Sequence, residues 1–72
     1  STMSNNYRIL NKYYPLSNGN ETKFSDLLKE GFDLSSYFKN AKAIKTGVEY
    51  IKLEDYLFLI SKDNQKIIIY KD

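Results

Sequence analysis

The sequence predicts a small α+β domain in which two short helices pack on a three-stranded antiparallel sheet that ends in a C-terminal β-hairpin. Three observations carry this. The stretch "YLFLISKDNQKIIIY", residues 56–70, sets two apolar-rich runs on either side of a polar tetrapeptide. The second run, "KIIIY", holds three consecutive β-branched residues, which favour extended backbone. Upstream, Leu34, Tyr37, Phe38 and Ala41 recur at i, i+3, i+4 and i+7, one face of a helix.

Taken in order, "NNYRILNKYY" admits two conformations. Tyr7, Ile9 and Tyr13 alternate as in a strand, whereas Ile9, Leu10, Tyr13 and Tyr14 fit helical spacing. A strand is the preferred reading, ended by Pro15 in either case. "PLSNGNET" is a loop, with Asn18-Gly19 suited to a turn of positive φ. "SDLLKEG" forms a short helix with Ser25 at its N-cap, Asp26 in its first turn and Gly31 closing it. A second helix begins at a cap on Asp33 or Ser35 and runs to Gly47. "VEYIKL" is read as a strand and Glu54-Asp55 as a kink or turn. Tyr50, Leu53, Leu57 and Ile60 also have helical spacing, which keeps a helix open as the alternative there. "KDNQ" supplies the hairpin turn. The expected core is Leu27, Leu28, Phe32, Leu34, Phe38, Ile51, Leu53, Phe58, Ile60, Ile67 and Ile69.

A turn centred on Asp63-Asn64 makes Ser61 oppose Lys66, Ile60 oppose Ile67, Leu59 oppose Ile68, Phe58 oppose Ile69 and Leu57 oppose Tyr70. Directly opposed residues share a face of the sheet. One face then carries Phe58, Ile60, Ile67 and Ile69, and the other Leu57, Leu59, Ile68 and Tyr70. Most antiparallel sheets in small domains are apolar on one side only. Two short helices hold too few apolar residues to cover both faces. Either the Tyr-rich N-terminal segment wraps the second face, or a protein does, and Leu57, Leu59, Ile68 and Tyr70 are the interface candidates. Fully burying each such side chain is worth about 1.5–3 kcal/mol, and four of them together rival the ~3–5 kcal/mol a core of this size supplies.

Composition narrows the alternatives. Seventy-two residues make one domain, expected over residues 3–72, with Ser1-Thr2 before Met3 resembling a cloning remnant. Domains this small often lean on disulfides, a metal or a second subunit. The chain has no Cys and no His, so disulfides are impossible and a structural zinc site would be atypical. A second subunit or another protein is the remaining supplement. Ser-His and Cys-His nucleophile arrangements cannot form, and no P-loop or G-x-G-x-x-G occurs. "DNQ" at 63–65 lacks the Gly and distal Glu of a calcium loop. No enzyme activity, cofactor or metal is therefore expected. No run approaches the ~18 apolar residues of a membrane span, and "MSNNYRIL" has no signal-peptide core; the expected location is the cytoplasm. Lys, Asn, Ile and Tyr have AT-rich codons, a composition found in low-GC bacteria, their phages and plasmids.

Nucleic acid is the alternative partner. Net charge is +2, and of eleven cations only Arg8 is not Lys, a mild excess for an electrostatic binder. Lys39, Lys42 and Lys45 recur every third residue and would form a cationic stripe on the second helix. The same lysines would also complement that helix's dipole and keep its surface soluble. Tyr7, Arg8, Lys12, Tyr13 and Tyr14 interleave cations and rings as single-strand binders do, although a small core needs those rings too. Helix–turn–helix followed by a hairpin has the element order of a winged-helix domain, but no Arg is placed for base readout. The expectation is a non-catalytic interaction or regulatory module that dimerises or binds another protein through an apolar, Tyr-bearing sheet face. The alternative is a winged-helix-like nucleic-acid binder using the lysine stripe.

Overall fold

The computed structural model describes residues 5–63 and 65–72. Ser1-Thr2, read as a cloning remnant, and Asn64 of the hairpin turn lie outside the described residues. Helix α1 (Asn5–Tyr13) leads to strand β1 (Asn18–Lys23), helix α2 (Phe24–Lys29) and a 3-10 helix (Leu34–Asn40). Strands β2 (Lys42–Lys45), β3 (Val48–Leu53), β4 (Tyr56–Ser61) and β5 (Lys66–Lys71) follow. They form one five-stranded sheet in the order β1-β5-β4-β3-β2, with every neighbouring pair antiparallel. The fold is α+β, and the expected β3–β4–β5 meander is its centre, extended by one strand on each side.

The hairpin register is the one the sequence implies, from Ser61 opposite Lys66 to Leu57 opposite Tyr70. Leu53 pairs with Tyr56 across Glu54-Asp55, which makes that pair a tight turn, with Glu54 at φ 55°. The core lies on the face bearing Ile51, Tyr56, Phe58, Ile60, Ile67 and Ile69, closed by Leu10, Tyr14, Leu27, Phe32 and Leu34 from the other layer. Phe32 stacks on Phe58 with centroids 5.5 Å apart and on Tyr37 at 5.8 Å.

Four sequence expectations are corrected. Residues 5–13 are a helix, not a strand, because Tyr7, Leu10 and Tyr14 lie at i, i+3 and i+7 and meet the core together. Residues 18–23, expected within a loop, form edge strand β1, held to β5 through backbone pairing and bulged between Asn18 and Asn20. The second helix is a 3-10 helix that stops at Asn40; Asp33 caps it by accepting from the Ser35 N–H at 3.0 Å. Residues 42–45 are edge strand β2, joined to β3 by Thr46-Gly47. The sheet therefore has five strands where three were expected. Within the expected core, Leu28 and Phe38 are 46% and 49% exposed, while Leu10, Tyr14 and Tyr56 are buried without having been anticipated.

Helix α2 starts one residue before Ser25, with Lys23 at the cap position and no side-chain cap bond. Its other end is built more tightly. The Gly31 N–H donates to the Leu28 carbonyl and the Phe32 N–H to the Leu27 carbonyl, a Schellman closure with Gly31 at φ +96°. This bend turns Phe32 inward.

Helix α1 is moored by phenols. The Tyr7 hydroxyl donates to Asp55 Oδ1 at 2.5 Å, Tyr14 to Glu30 Oε1 at 2.7 Å, and Tyr56 to Asn11 Oδ1 at 2.9 Å. The Ser17 hydroxyl donates to the Ile69 carbonyl, tying the chain after α1 to β5. Donation to Asp55, followed by desolvation, pushes the Tyr7 phenol up from 10.0 to about 12. Burial, followed by donation to Glu30, pushes Tyr14 up to about 12. Burial also raises Tyr56, opposed by the nearby Lys71 ammonium.

Two predictions follow from this packing. Phe58→Ala should cost ~3–5 kcal/mol, comparable to the ~3–5 kcal/mol net stability of a core this size, so its circular dichroism in buffer should be that of a largely unfolded chain. Leu28→Ala should cost no more than about 1 kcal/mol; a Phe58→Ala variant as stable as Leu28→Ala would contradict the assigned core. For pH, a phenol whose pKa is raised on folding contributes stability that is fully present below its unfolded value and is lost as pH rises through its folded value. The denaturant midpoint should therefore carry no tyrosine-linked loss below about pH 10 and should fall between about 10 and about 12. Tyr14→Phe should be less stable at neutral pH and show a shallower alkaline fall, read against the phenolate absorbance titration.

Candidate interaction surface

Period-two alternation in β3, β4 and β5 divides the sheet into two faces. One is the core face. On the other, register aligns Tyr50, Leu59 and Ile68 in one row across three strands, and Lys52, Leu57 and Tyr70 in the next. None of Tyr50, Leu57, Leu59, Ile68 and Tyr70 belongs to the buried cluster. The first four are half-buried, and Tyr70 is 38% exposed. Helix α1, the candidate cover for this face, bonds instead to Asp55, Tyr56, Tyr37 and Lys71 on the core side.

The outer face is shaped at one corner by Gly19. With φ +91° in the bulge of β1, Gly19 lies beneath the Tyr70 ring, and a Cβ there would sit 3.1 Å from Tyr70 Cε1. The missing side chain lets the ring lie down on the edge strand, flattening this corner of the face. A depression of about 390 Å³ beside it is lined by Lys52, Leu57, Tyr70, Lys71 and Asp72, among others.

Lysines surround the apolar rows. Lys42 opposes Tyr50 and Lys45 opposes Val48, so both align with outer-face positions along β2. Lys52 on β3, Lys66 on β5 and Lys23 on β1 align with the same side. The sole carboxylate in register with them is Glu21, opposite Ile68, which pairs with Lys66 at 3.7 Å. The expected helical stripe does not exist: Lys39 is on the 3-10 helix, whereas Lys42 and Lys45 are on a strand. Sequence reasoning placed Lys66 opposite Ser61 but had no register for β1, β2 and β3, so it missed Tyr50 and the lysines at 23 and 52 as members of this face.

A second concavity lies on the helical side, between Phe24, Leu34, Phe38, Ala41, Ile60 and Ile67, with a volume of about 480 Å³. The Glu49–Lys62 ion pair, 3.3 Å, lies at its margin. Among the described residues, no group of three or more His, Cys, Asp or Glu is placed to hold a metal. Asp55, in the turn expected at Glu54-Asp55, is engaged as the acceptor for the Tyr7 hydroxyl. No helix among the described residues is long and apolar enough to cross a membrane. No protein-family model, curated protein or solved structure matches the chain.

Proposed function

We propose that this chain is a non-catalytic protein-interaction module whose working surface is the outer face of the sheet, centred on Leu57, Leu59 and Ile68 with Tyr50 and Tyr70 beside them. The observation that carries the proposal is the placement of both helices and the 3-10 helix on the core side, leaving two rows of large apolar side chains without a covering layer. A contiguous apolar patch ringed by polar groups is the anatomy of a docking surface. Tyrosine suits its margin, since the ring supplies contact area while the hydroxyl remains hydrated.

Nucleic acid is the second reading. The observation favouring it is the convergence of Lys42, Lys45, Lys52, Lys66 and Lys23 around two tyrosines on one sheet face. The centre of that face is aliphatic, however, and offers no stacking platform between Tyr50 and Tyr70.

A photo-crosslinking residue at position 59, in cells expressing the full chain, should give a discrete protein adduct. The same residue at Ser36, exposed on the 3-10 helix, should not. Adding Ile68→Lys should abolish the adduct from position 59 while costing no more than about 1 kcal/mol of stability. Adducts from position 36 but not 59, or an adduct indifferent to Ile68→Lys in a folded variant, would assign the working surface elsewhere.

A further inference from the structure

Accepting the outer face as the working surface, we infer that its occupant is a protein surface with an apolar centre and an acidic rim, not a second copy of this chain. Charge is sorted between the two sides of the sheet. Five lysines (23, 42, 45, 52 and 66) against Glu21 give the outer side a formal +4, in a chain whose total is +2, so everything else together carries −2. Off the outer face, Lys62 pairs with Glu49 and Lys29 with Asp26, and the remaining cations there are outnumbered by carboxylates, as the −2 balance requires. On the outer side, Lys66 is matched by Glu21, while Lys23, Lys42, Lys45 and Lys52 form no ion pair among the described residues. Asp55 and Asp72 border the depression next to Lys52. The excess is therefore densest along β2 and at the Lys23–Lys66 end.

Packing the outer face against itself about a two-fold axis would set +4 against +4 around an apolar centre. Like charges brought together across an interface cost several kcal/mol. A closed two-fold contact offers each collar Glu21, already paired with Lys66, and at the Lys52 corner Asp55, already bonded to Tyr7, and Asp72, three carboxylates against five lysines. A partner bearing carboxylates around its own apolar patch meets every lysine with an opposite charge and leaves the centre free to exclude water. A polynucleotide would satisfy the lysines but not Leu57, Leu59 and Ile68, which present aliphatic surface where bases stack on rings.

The test is an amide-resolved NMR titration of the full chain with four probes: a soluble peptide alternating Glu with Val, the same peptide with Lys for Glu, the same with Ser for Glu, and oligothymidylate. The Glu peptide should perturb Tyr50, Leu57, Leu59, Ile68 and Tyr70 and bind at least about tenfold tighter than the other two peptides. Its affinity should drop as salt rises from about 0.1 M to about 1 M and the screening length shrinks from about 10 Å to about 3 Å. Combined Lys42→Glu, Lys45→Glu and Lys52→Glu should remove that preference while leaving amides outside the outer face undisturbed. Equal binding of the Glu and Ser peptides at the outer face would overturn the acidic partner and leave the docking surface standing. No perturbation there by any peptide would overturn both, as would shifts confined to β2, the signature of strand addition at an edge. Tighter binding of oligothymidylate at the same residues would assign the face to nucleic acid, and a dimer by light scattering that Ile68→Lys dissociates would assign it to a second copy.

Discussion

Phe32 stacked on Phe58 is the contact through which the helical layer and the sheet become one body. Both rings are fully buried and lie nearly parallel, with an interplanar angle of 14°. Phe32 reaches that position because Gly31 turns the chain through a left-handed residue directly after α2. Tyr37 stacks on the opposite side of Phe32, which fixes where the 3-10 helix lies. A column of three rings thus runs from the 3-10 helix to the central strand β4. Removing its middle member would leave a void between the two layers at their most deeply buried rings. In so short a chain there is no second core to compensate.

That column consumes the aromatic side chains on one side of the sheet and explains why the other side stays bare. The helices are short, and the apolar residues they bury fully go to the core: Leu10 from α1, Leu27 from α2 and Leu34 from the 3-10 helix, while Leu28 and Phe38 stay 46% and 49% exposed. The two edge strands do not contribute cover either, since β1 reads NGNETK and β2 reads KAIK. Their polar and lysine-rich character discourages addition of further strands at either end of the sheet. Openness to a partner is thereby confined to the face and withheld from the edges, where pairing would be indiscriminate.

The parts of this structure legible in the sequence are those where side-chain pattern and backbone preference agree. The Ile67-Ile68-Ile69 run and its apolar counterpart at 56–60 specify extended backbone, and a four-residue turn then leaves one natural register, the one observed. The division of the hairpin into a core face and a second apolar face was readable for the same reason. Strand β1 was not, because Asn18, Gly19, Asn20 and Glu21 are poor strand formers and are recruited by the open hydrogen-bonding edge of β5. Helix α1 was ambiguous because tyrosines satisfied either period; as a helix it brings Tyr7, Leu10 and Tyr14 to the core together, with Tyr7 and Tyr14 donating to Asp55 and Glu30 and Asn11 accepting from Tyr56. The lysine collar was illegible for a more general reason. Its members come from four strands, and only the sheet order makes Lys23 and Lys66 neighbours or puts Lys42 beside Tyr50.

The position of β5 has a consequence for how the chain acquires its fold. Strands β2, β3 and β4 follow one another through tight turns, so their pairing is local and fast to nucleate. Strand β5 joins β4 through an equally local hairpin, but it is second in the sheet, and its other neighbour, β1, is formed by residues 18–23. Strand β1 therefore has no pairing partner until residues 66–71 leave the ribosome, and α2, which follows it directly, has no anchored edge to lean on. The first third of the chain must wait, solvent-exposed, for the last strand to arrive. Among the strand pairings, that of β1 with β5, from Asn18 with Tyr70 to Lys23 with Lys66, closes the longest loop and carries the largest loop-closure entropy, so β1 should dock after the hairpins of β2 to β5 have formed.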